Sequence, residues 1–357
     1  MKRILILTAG FGEGHNSAAR GVRDALARLS PDSTVEMRDL FAEVYGGLNE
    51  RIRRAYLALI NRWPRSWGIV YRWLDRKKDF DKDFAKFSRM KTHLGRLLES
   101  FRPDSVVSTF PAYPYLVRQI ESGRAKNIVI VTDSITVNAI WSHAPGDYFF
   151  LPNERSAAII NAGGLSLEKI RTFGFPVSPR FADLAEDQPA TLPGRPRILF
   201  MINAGTRDAP KTVARLLDLE IELTVTVGRD EKLRRAIEAV AGNRKVEIVG
   251  WTDQMPRLLS ESHLLIGKAG GATVQETIAA GCPMIINHIV SGQEEGNAQL
   301  IVETNSGAIA RSPVDVSNAV RSAFANGAKE WHAWAANIRK LSRPRASLDI
   351  AEFLLSI

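Results

Sequence analysis

Cysteine is nearly absent: the chain of 357 residues has one, Cys282. A single thiol forms neither an internal disulfide nor a cysteine-held metal cluster, and the scarcity fits a reducing compartment. Long apolar runs are missing too, with none near the roughly 18 residues of a membrane span. The apolar part of "MKRILILTAG" is short and ends in glycines, so it reads as a buried first strand rather than a signal peptide. No GxSxG, no HExxH and no paired cysteines occur, and Lys268 precedes its glycines, the reverse of a Walker A loop. Those gaps remove the serine-hydrolase, zincin and P-loop signatures.

What is present is an alternation of apolar strands and helical patterns, the mark of a doubly wound α/β architecture. At this length two domains are expected. Residues 1–175 carry "RILILTA", "TVEMRDL", "DSVVST", "NIVIVTD" and "YFFLP". The proline-rich stretch 176–197 reads as a linker. Residues 198–340 restart with "RILFMIN", "IELTVTVG", "VEIVGW", "HLLIGKA", "PMIINH" and "GAIA". A last helix, 341–357, is expected to return to the first domain. Parallel sheets bind ligands beyond the carboxyl ends of their strands. The post-strand residues are rich in glycine and polar groups, so the expected site is a cleft faced by those ends of both domains.

The net charge of +9 is uneven. From Arg51 to Arg96 arginine and lysine recur on almost every turn, opposed only by Asp75, Asp79, Asp81 and Asp83. Within about 45–97 this charge is interleaved with Tyr56, Trp63, Trp67, Tyr71, Trp73, Phe80, Phe84 and Phe87. Nucleic acid favours such a composition, but basic charge with tryptophan suits an interfacial surface. The expected partner is an anionic membrane surface and not nucleic acid. The plain alternative is an amphipathic helix packed on its own domain. Asp81–Asp83, a DxD spacing, has no strand before it and reads as a solvated helix face.

The densest chemistry lies in 267–303. Gly270 and Gly271 let backbone approach a ligand, and a helix starting near Thr273 aims its amides at the same point, which suits a diphosphate. A capping box of Thr273 with Glu276 is the bland alternative. Gln293, Glu294 and Asn297 open the next helix with groups that both donate to and accept from sugar hydroxyls. "NAGT" adds Gly205 and Thr206 as phosphate neighbours, with Asp208 equally readable as a cap. "GWTD" offers Gly250, Trp251 and Thr252 beside a base. In the first domain "TAGFGEGHNSAARGV" alternates Gly10, Gly12 and Gly14 and then sets His15 on the first helical turn. A helix N-terminus disfavours imidazolium, so His15 is expected to be neutral and available as a base. The misplaced third glycine argues against a dinucleotide fingerprint, although Asp39 stands where a ribose acid would.

With these residues quoted, the chain resembles the family 28 glycosyltransferases, in the branch of monogalactosyldiacylglycerol synthases and processive diacylglycerol glucosyltransferases. The stretches that carry it are "GFGEGHNSAA", "VTDSITVNAIW", "GFPVSPRF", "GWTDQMPRLLSESHLLIGKAGGATVQETIAAGCPMII" and "SGQEEGNAQL". The resemblance implies a GT-B fold of two Rossmann-like domains facing across a cleft. It implies inverting, metal-independent transfer from a UDP-sugar, with no cofactor, to a lipid hydroxyl, most simply diacylglycerol, by a peripheral protein at the cytoplasmic face of a membrane. On this sequence it makes Glu276 the ribose acid and Gly270, Gly271 and Thr273 the diphosphate loop. Gln293 and Glu294 become sugar readers, Gly250 to Thr252 the uracil neighbour, and His15 and Asp133 the acceptor-side base and acid. Asn138-Ala139 replaces a His-Pro pair, GEGH replaces GGGH, and "NAGT" lacks a glycine run. Transfer to another acceptor, a sugar-nucleotide epimerase and a binder without turnover are the alternatives.

Overall fold

The computed structural model describes residues 1–62, 80–120, 123–135, 137–185, 194–290 and 294–357, with backbone alone for 52–62. The chain divides into two compact units. One is Met1–Pro179 with Arg345–Ile357; the other is Arg180–Ile289 with Glu294–Pro344.

The first unit holds β1 Arg3–Leu7, β2 Thr34–Arg38, β3 Ser105–Ser108, β4 Lys126–Ile130, β5 Tyr148–Phe150 and β6 Ile170–Arg171. They form one sheet in the order β2-β1-β3-β4-β5-β6, every pair parallel. Ile4 to Leu7 are fully buried, as a parallel strand covered on both faces requires. The helices are α1 Glu13–Leu29, α2 Leu40–Arg62, α3 Asp81–Phe84, α4 Ser88–Phe101, α5 Tyr113–Ile120, α6 Ala139–Ser142 and α7 Glu154–Ala162. The two-residue β6 is a strand that the apolar pattern does not disclose.

The second unit repeats the plan with β7 Arg197–Met201, β8 Glu222–Gly228, β9 Glu247–Gly250, β10 Leu264–Lys268, β11 Met284–His288 and β12 Gly307–Ile309. Its order is β12-β11-β10-β7-β8-β9, again parallel. Helices α8 Arg180–Asp183, α9 Ala209–Leu216, α10 Glu231–Ala241, α11 Met255–Glu261, α12 Gly271–Ala279, α13 Glu295–Glu303 and α14 Pro313–Leu341 belong to it. The final α15 Ala346–Ser356 groups with the first unit, against α1. In both sheets the chain reverses its winding once, between β1 and β3 and between β7 and β10. Such switch points open a crevice at the carboxyl edge.

Two parts of the sequence reading need correction. Within 176–197, α8 is a helical turn of the second unit, because the Arg180 guanidinium donates to the Asp253 carbonyl at 3.4 Å and to Gln254 Oε1 at 3.3 Å. Within the basic aromatic segment, Phe80, Phe84 and Phe87 pack into the unit's own core. Helix α4 also buries Met90, Leu94, Leu97, Leu98 and Phe101 there, an inward stripe at helical spacing. Trp63, Trp67, Tyr71 and Trp73 lie outside the described residues, as does the Tyr56 side chain. Asp81 pairs with Arg118 on the surface.

One close approach limits what α1 tolerates. A Cβ on Gly21 would lie 2.0 Å from the Pro176 carbonyl oxygen, inside any allowed contact, so helix and backbone must part. Gly21→Ala is therefore expected to cost about 1–3 kcal/mol as overpacking, read as a melting temperature several degrees lower by calorimetry. Unchanged melting would mean that this segment yields freely.

Candidate active site

The switch point of the first unit is built by the turn after β1. The Gly10 amide donates to Asp39 Oδ2 at 2.8 Å, and Asp39 Oδ1 takes the Ala42 amide at 3.0 Å. Asp39 thus ties the turn to the start of α2, and the ribose role suggested by its position falls away. Gly12 is the N-cap of α1, with extended backbone and no capping side chain. A Cβ at Gly12 or Gly14 would meet no atom within 4 Å. Neither strain nor packing demands glycine there, so the open space beside the turn is available to a ligand.

His15 follows on the first turn, half-buried, with its ring edge-on to Phe110 at 5.1 Å. Its Nδ1 is 2.7 Å from the Thr109 carbonyl oxygen and 3.0 Å from Thr132 Oγ1. A carbonyl only accepts, so Nδ1 carries the proton and Nε2 keeps the lone pair. No hydrogen bond to Nε2 is made among the described residues. Burial pushes the imidazole down to about 4, against the lift from the Thr109 hydrogen bond. Near neutral pH the ring is uncharged and its basic nitrogen free.

Asp133 stands just beyond β4, and its Oδ2 accepts from the Trp141 indole at 3.1 Å and the Asn138 amide at 3.5 Å. Burial pushes this carboxyl up to about 6, with both hydrogen bonds opposing. Trp141 also faces His15 at 6.5 Å, so one indole touches both titratable groups. Asn138 caps α6 through its side-chain oxygen; its buried Nδ2 has no partner among the described residues.

The switch point of the second unit gathers the other motifs. Helix α12 starts at Gly271 with Gly270 as a bare N-cap, two residues before the start read from sequence. Thr273 is therefore the third helical residue, the capping box does not form, and Glu276 lies half-buried on the second turn. A Cβ on Gly270 would sit 3.4 Å from Lys268 Cε, 3.6 Å from Thr273 Oγ1 and 3.8 Å from Glu294 Oε1; one on Gly271 would sit 3.7 Å from Asn297 Nδ2. The missing side chains leave a small cradle ringed by polar groups at a helix N-terminus. Asn297 donates to the Ala269 carbonyl at 3.1 Å, tying α13 to the loop after β10. Glu294 is buried and paired with Lys268 at 2.6 Å. Gln293 lies outside the described residues.

The neighbouring loops are exposed. Gly205 has φ +66°, a left-handed turn that favours glycine, and Thr206 beside it is solvent-facing. Asp208 precedes α9 without a capping hydrogen bond. Gly250 ends β9 against Arg234. Trp251 is 66% exposed, with the Arg229 guanidinium over its ring at 5.4 Å. Thr252 Oγ1 accepts from the Gln254 amide at 3.0 Å, and α11 starts behind Gln254 with no capping side chain. Among the described residues no group of His, Cys, Asp and Glu gathers as a metal site, and no helix is long and apolar enough to cross a membrane.

Sequence reasoning missed Thr109, Thr132, Trp141 and Lys268. Only Lys268 carried a local signal, a cation at a strand end directly before "AGG".

A family model for monogalactosyldiacylglycerol synthase matches residues 15–177, and one for the glycosyltransferase family 28 C-terminal domain matches 203–332. The chain belongs to glycosyltransferase family 28. As a member it is a hexosyltransferase. Monogalactosyldiacylglycerol synthase 2 of Arabidopsis thaliana is 26% identical over 98% of this chain and 80% of its own. The spinach (Spinacia oleracea) synthase is 27% identical over 99% and 72%. Among solved structures, MurG of Acinetobacter baumannii superposes with a TM-score of 0.65 at 15% identity over 100% of both chains. The UDP-GlcNAc 2-epimerase from Neisseria meningitidis bound to UDP-GlcNAc gives 0.62 at 15% over 99% and 100%. These likenesses show that the family 28 enzyme has the GT-B fold.

Proposed function

We propose that this family 28 enzyme transfers a hexose from a UDP-sugar to the free hydroxyl of diacylglycerol, with inversion and without a metal. The observation that carries the reading is His15: a neutral imidazole beside an open glycine turn, its proton on Nδ1 and its Nε2 available. The acceptor oxygen loses its proton to Nε2 as it attacks the anomeric carbon. The bond from that carbon to the β-phosphate oxygen breaks in the same displacement, and UDP leaves with the electron pair. The Thr109 carbonyl and Thr132 hydroxyl stabilise the imidazolium that forms through Nδ1. Amides at the start of α12 face the charge that develops on the diphosphate, with Thr273, Gly205 and Thr206 beside them. Glu276 takes the ribose, Trp251 the base, and Gln293, Glu294 and Asn297 the hexose. The names of the relatives support the lipid acceptor, and the Gly270 cradle at the start of α12 supports a nucleotide donor.

The test is incubation with diacylglycerol vesicles and each UDP-hexose in the presence of a chelator. The expected product is a hexosyl-diacylglycerol of inverted anomeric configuration, read by mass and NMR. Epimerised donor with no lipid product would replace this reading with the epimerase one.

The two titrating groups set the pH dependence. His15 acts as a base only when neutral, above about 4. Asp133 holds the Trp141 indole that faces His15, and holds it most firmly when ionised, above about 6. The value of kcat/KM is therefore expected to fall on the acid side with a midpoint near 6 and to be level at neutral pH. In Asp133→Asn the plateau drops and the limb moves toward about 4. A limb that stays in place would take Asp133 out of the reaction.

The basic segment of about 45–97 supports peripheral attachment to the cytoplasmic face of an anionic membrane; Lys82, Lys86 and Arg89 are exposed. Co-sedimentation with phosphatidylglycerol vesicles is expected at low salt, largely lost by 0.5 M salt, where the screening length falls to a few ångströms. Equal binding to neutral vesicles would contradict the electrostatic account.

A further inference from the structure

We propose that Lys268 binds the donor diphosphate, and that its pairing with Glu294 joins phosphate binding to sugar reading. This rests on the donor reading above and adds a residue to it. Lys268 is the last residue of β10, so its side chain leaves the carboxyl edge of the sheet at the switch point. Its Nζ lies 2.6 Å from Glu294 Oε1, with the lysine side chain 26% exposed and the glutamate 8%. The carboxylate is the sealed member of the pair and the ammonium the open one.

An ammonium has three N–H donors. One oxygen of Glu294 takes one of them, which leaves capacity for a second anion at the same nitrogen. The place for that anion is the Gly270 cradle, whose missing Cβ would lie 3.4 Å from Lys268 Cε and 3.8 Å from Glu294 Oε1. The amides of Gly271 and Ala272 open α12 at this point. A helix terminus supplies roughly half a unit of positive charge, too little for a departing diphosphate that carries at least two negative charges. Lys268 supplies a full one where no metal need stand. Without donor the lysine and the buried carboxylate pair with each other. With donor bound, Lys268 spans the phosphate and the carboxylate and keeps Glu294 turned to accept a sugar hydroxyl. The order of Lys268 and its glycines excludes a Walker A loop, yet the end of β10 sets this lysine beside the Gly270 cradle.

The test compares uridine and UDP by calorimetric titration against the full chain, Lys268→Met and Glu294→Gln. Uridine occupies the base and ribose positions alone, whereas UDP adds the diphosphate. Lys268→Met is expected to weaken UDP about 10- to 100-fold, the effect of a charge-assisted hydrogen bond, with uridine within two-fold of the parent. Glu294→Gln frees the ammonium, so UDP is expected to tighten several-fold while kcat with the UDP-hexose falls. If Lys268→Met folds poorly because the buried Glu294 loses Lys268, Lys268→Met/Glu294→Gln removes both charges and keeps the same contrast between uridine and UDP. Equal affinity of parent and Lys268→Met for UDP overturns the proposal, and so does a parallel loss of uridine and UDP. A parent chain that binds neither ligand overturns the donor reading itself.

Discussion

His15→Ala is expected to lower kcat by about 10²- to 10⁴-fold, the range of a positioned general base, and to leave the affinity for UDP within two-fold. The separation follows from where the groups lie. His15 belongs to the turn after β1, with partners from the ends of β3 and β4, whereas the loops proposed for the nucleotide belong to the sheet of β7 to β12. Alanine also empties the space beside Phe110, so His15→Asn serves as a companion. Its amide can donate to the Thr109 carbonyl as Nδ1 does, but it offers no nitrogen lone pair. Both variants are expected to lose transfer, with Asn nearer the parent in melting temperature. If His15→Asn keeps most of the rate, the role of His15 is to hold the turn and the base lies elsewhere.

Gly270→Val is expected to reduce kcat/KM for the UDP-sugar by about 10²-fold or more, the scale seen when a preorganised anion-stabilising contact is lost. Stability is expected to change by less than about 1 kcal/mol. Gly270 has φ −65° and ψ 141°, an extended backbone that valine adopts readily, and an added Cβ meets nothing closer than 3.4 Å. The protein's own fold therefore does not ask for glycine. The γ-methyls would enter the space ringed by Lys268, Thr273 and Glu294, the place proposed for the diphosphate. Retained donor affinity in this variant would show that the phosphates bind elsewhere. A large loss of stability would show that the glycine is structural.

Much of this was legible from the chain. Buried parallel strands are unbroken apolar runs, so every strand of the second unit could be read from "RILFMIN" through "GAIA". His15 stood out because glycines flank it at a strand-to-helix turn. The rest was hidden for physical reasons. β6 is two residues long and has no periodicity to detect. The start of α12 is hidden because Gly270-Gly271 looks like loop, yet the helix begins at Gly271. Phe80, Phe84 and Phe87 looked interfacial by composition, and only tertiary packing turns them inward. The tautomer of His15 depends on Thr109 and Thr132, 94 and 117 residues away, and a local pattern cannot carry that information. Lys268 is visible at a strand end, but its contact with Glu294, 26 residues on, belongs to the fold alone.

The central claim is that the glycine turn of the first unit serves the acceptor and its base while the phosphates belong to the second unit. A crystal structure of the protein with UDP tests it most directly. The diphosphate is expected on the Gly271 and Ala272 amides, within hydrogen-bond distance of Lys268 Nζ, with the Gly10–His15 turn free of nucleotide. Diphosphate density in the Gly10–His15 turn would contradict the account.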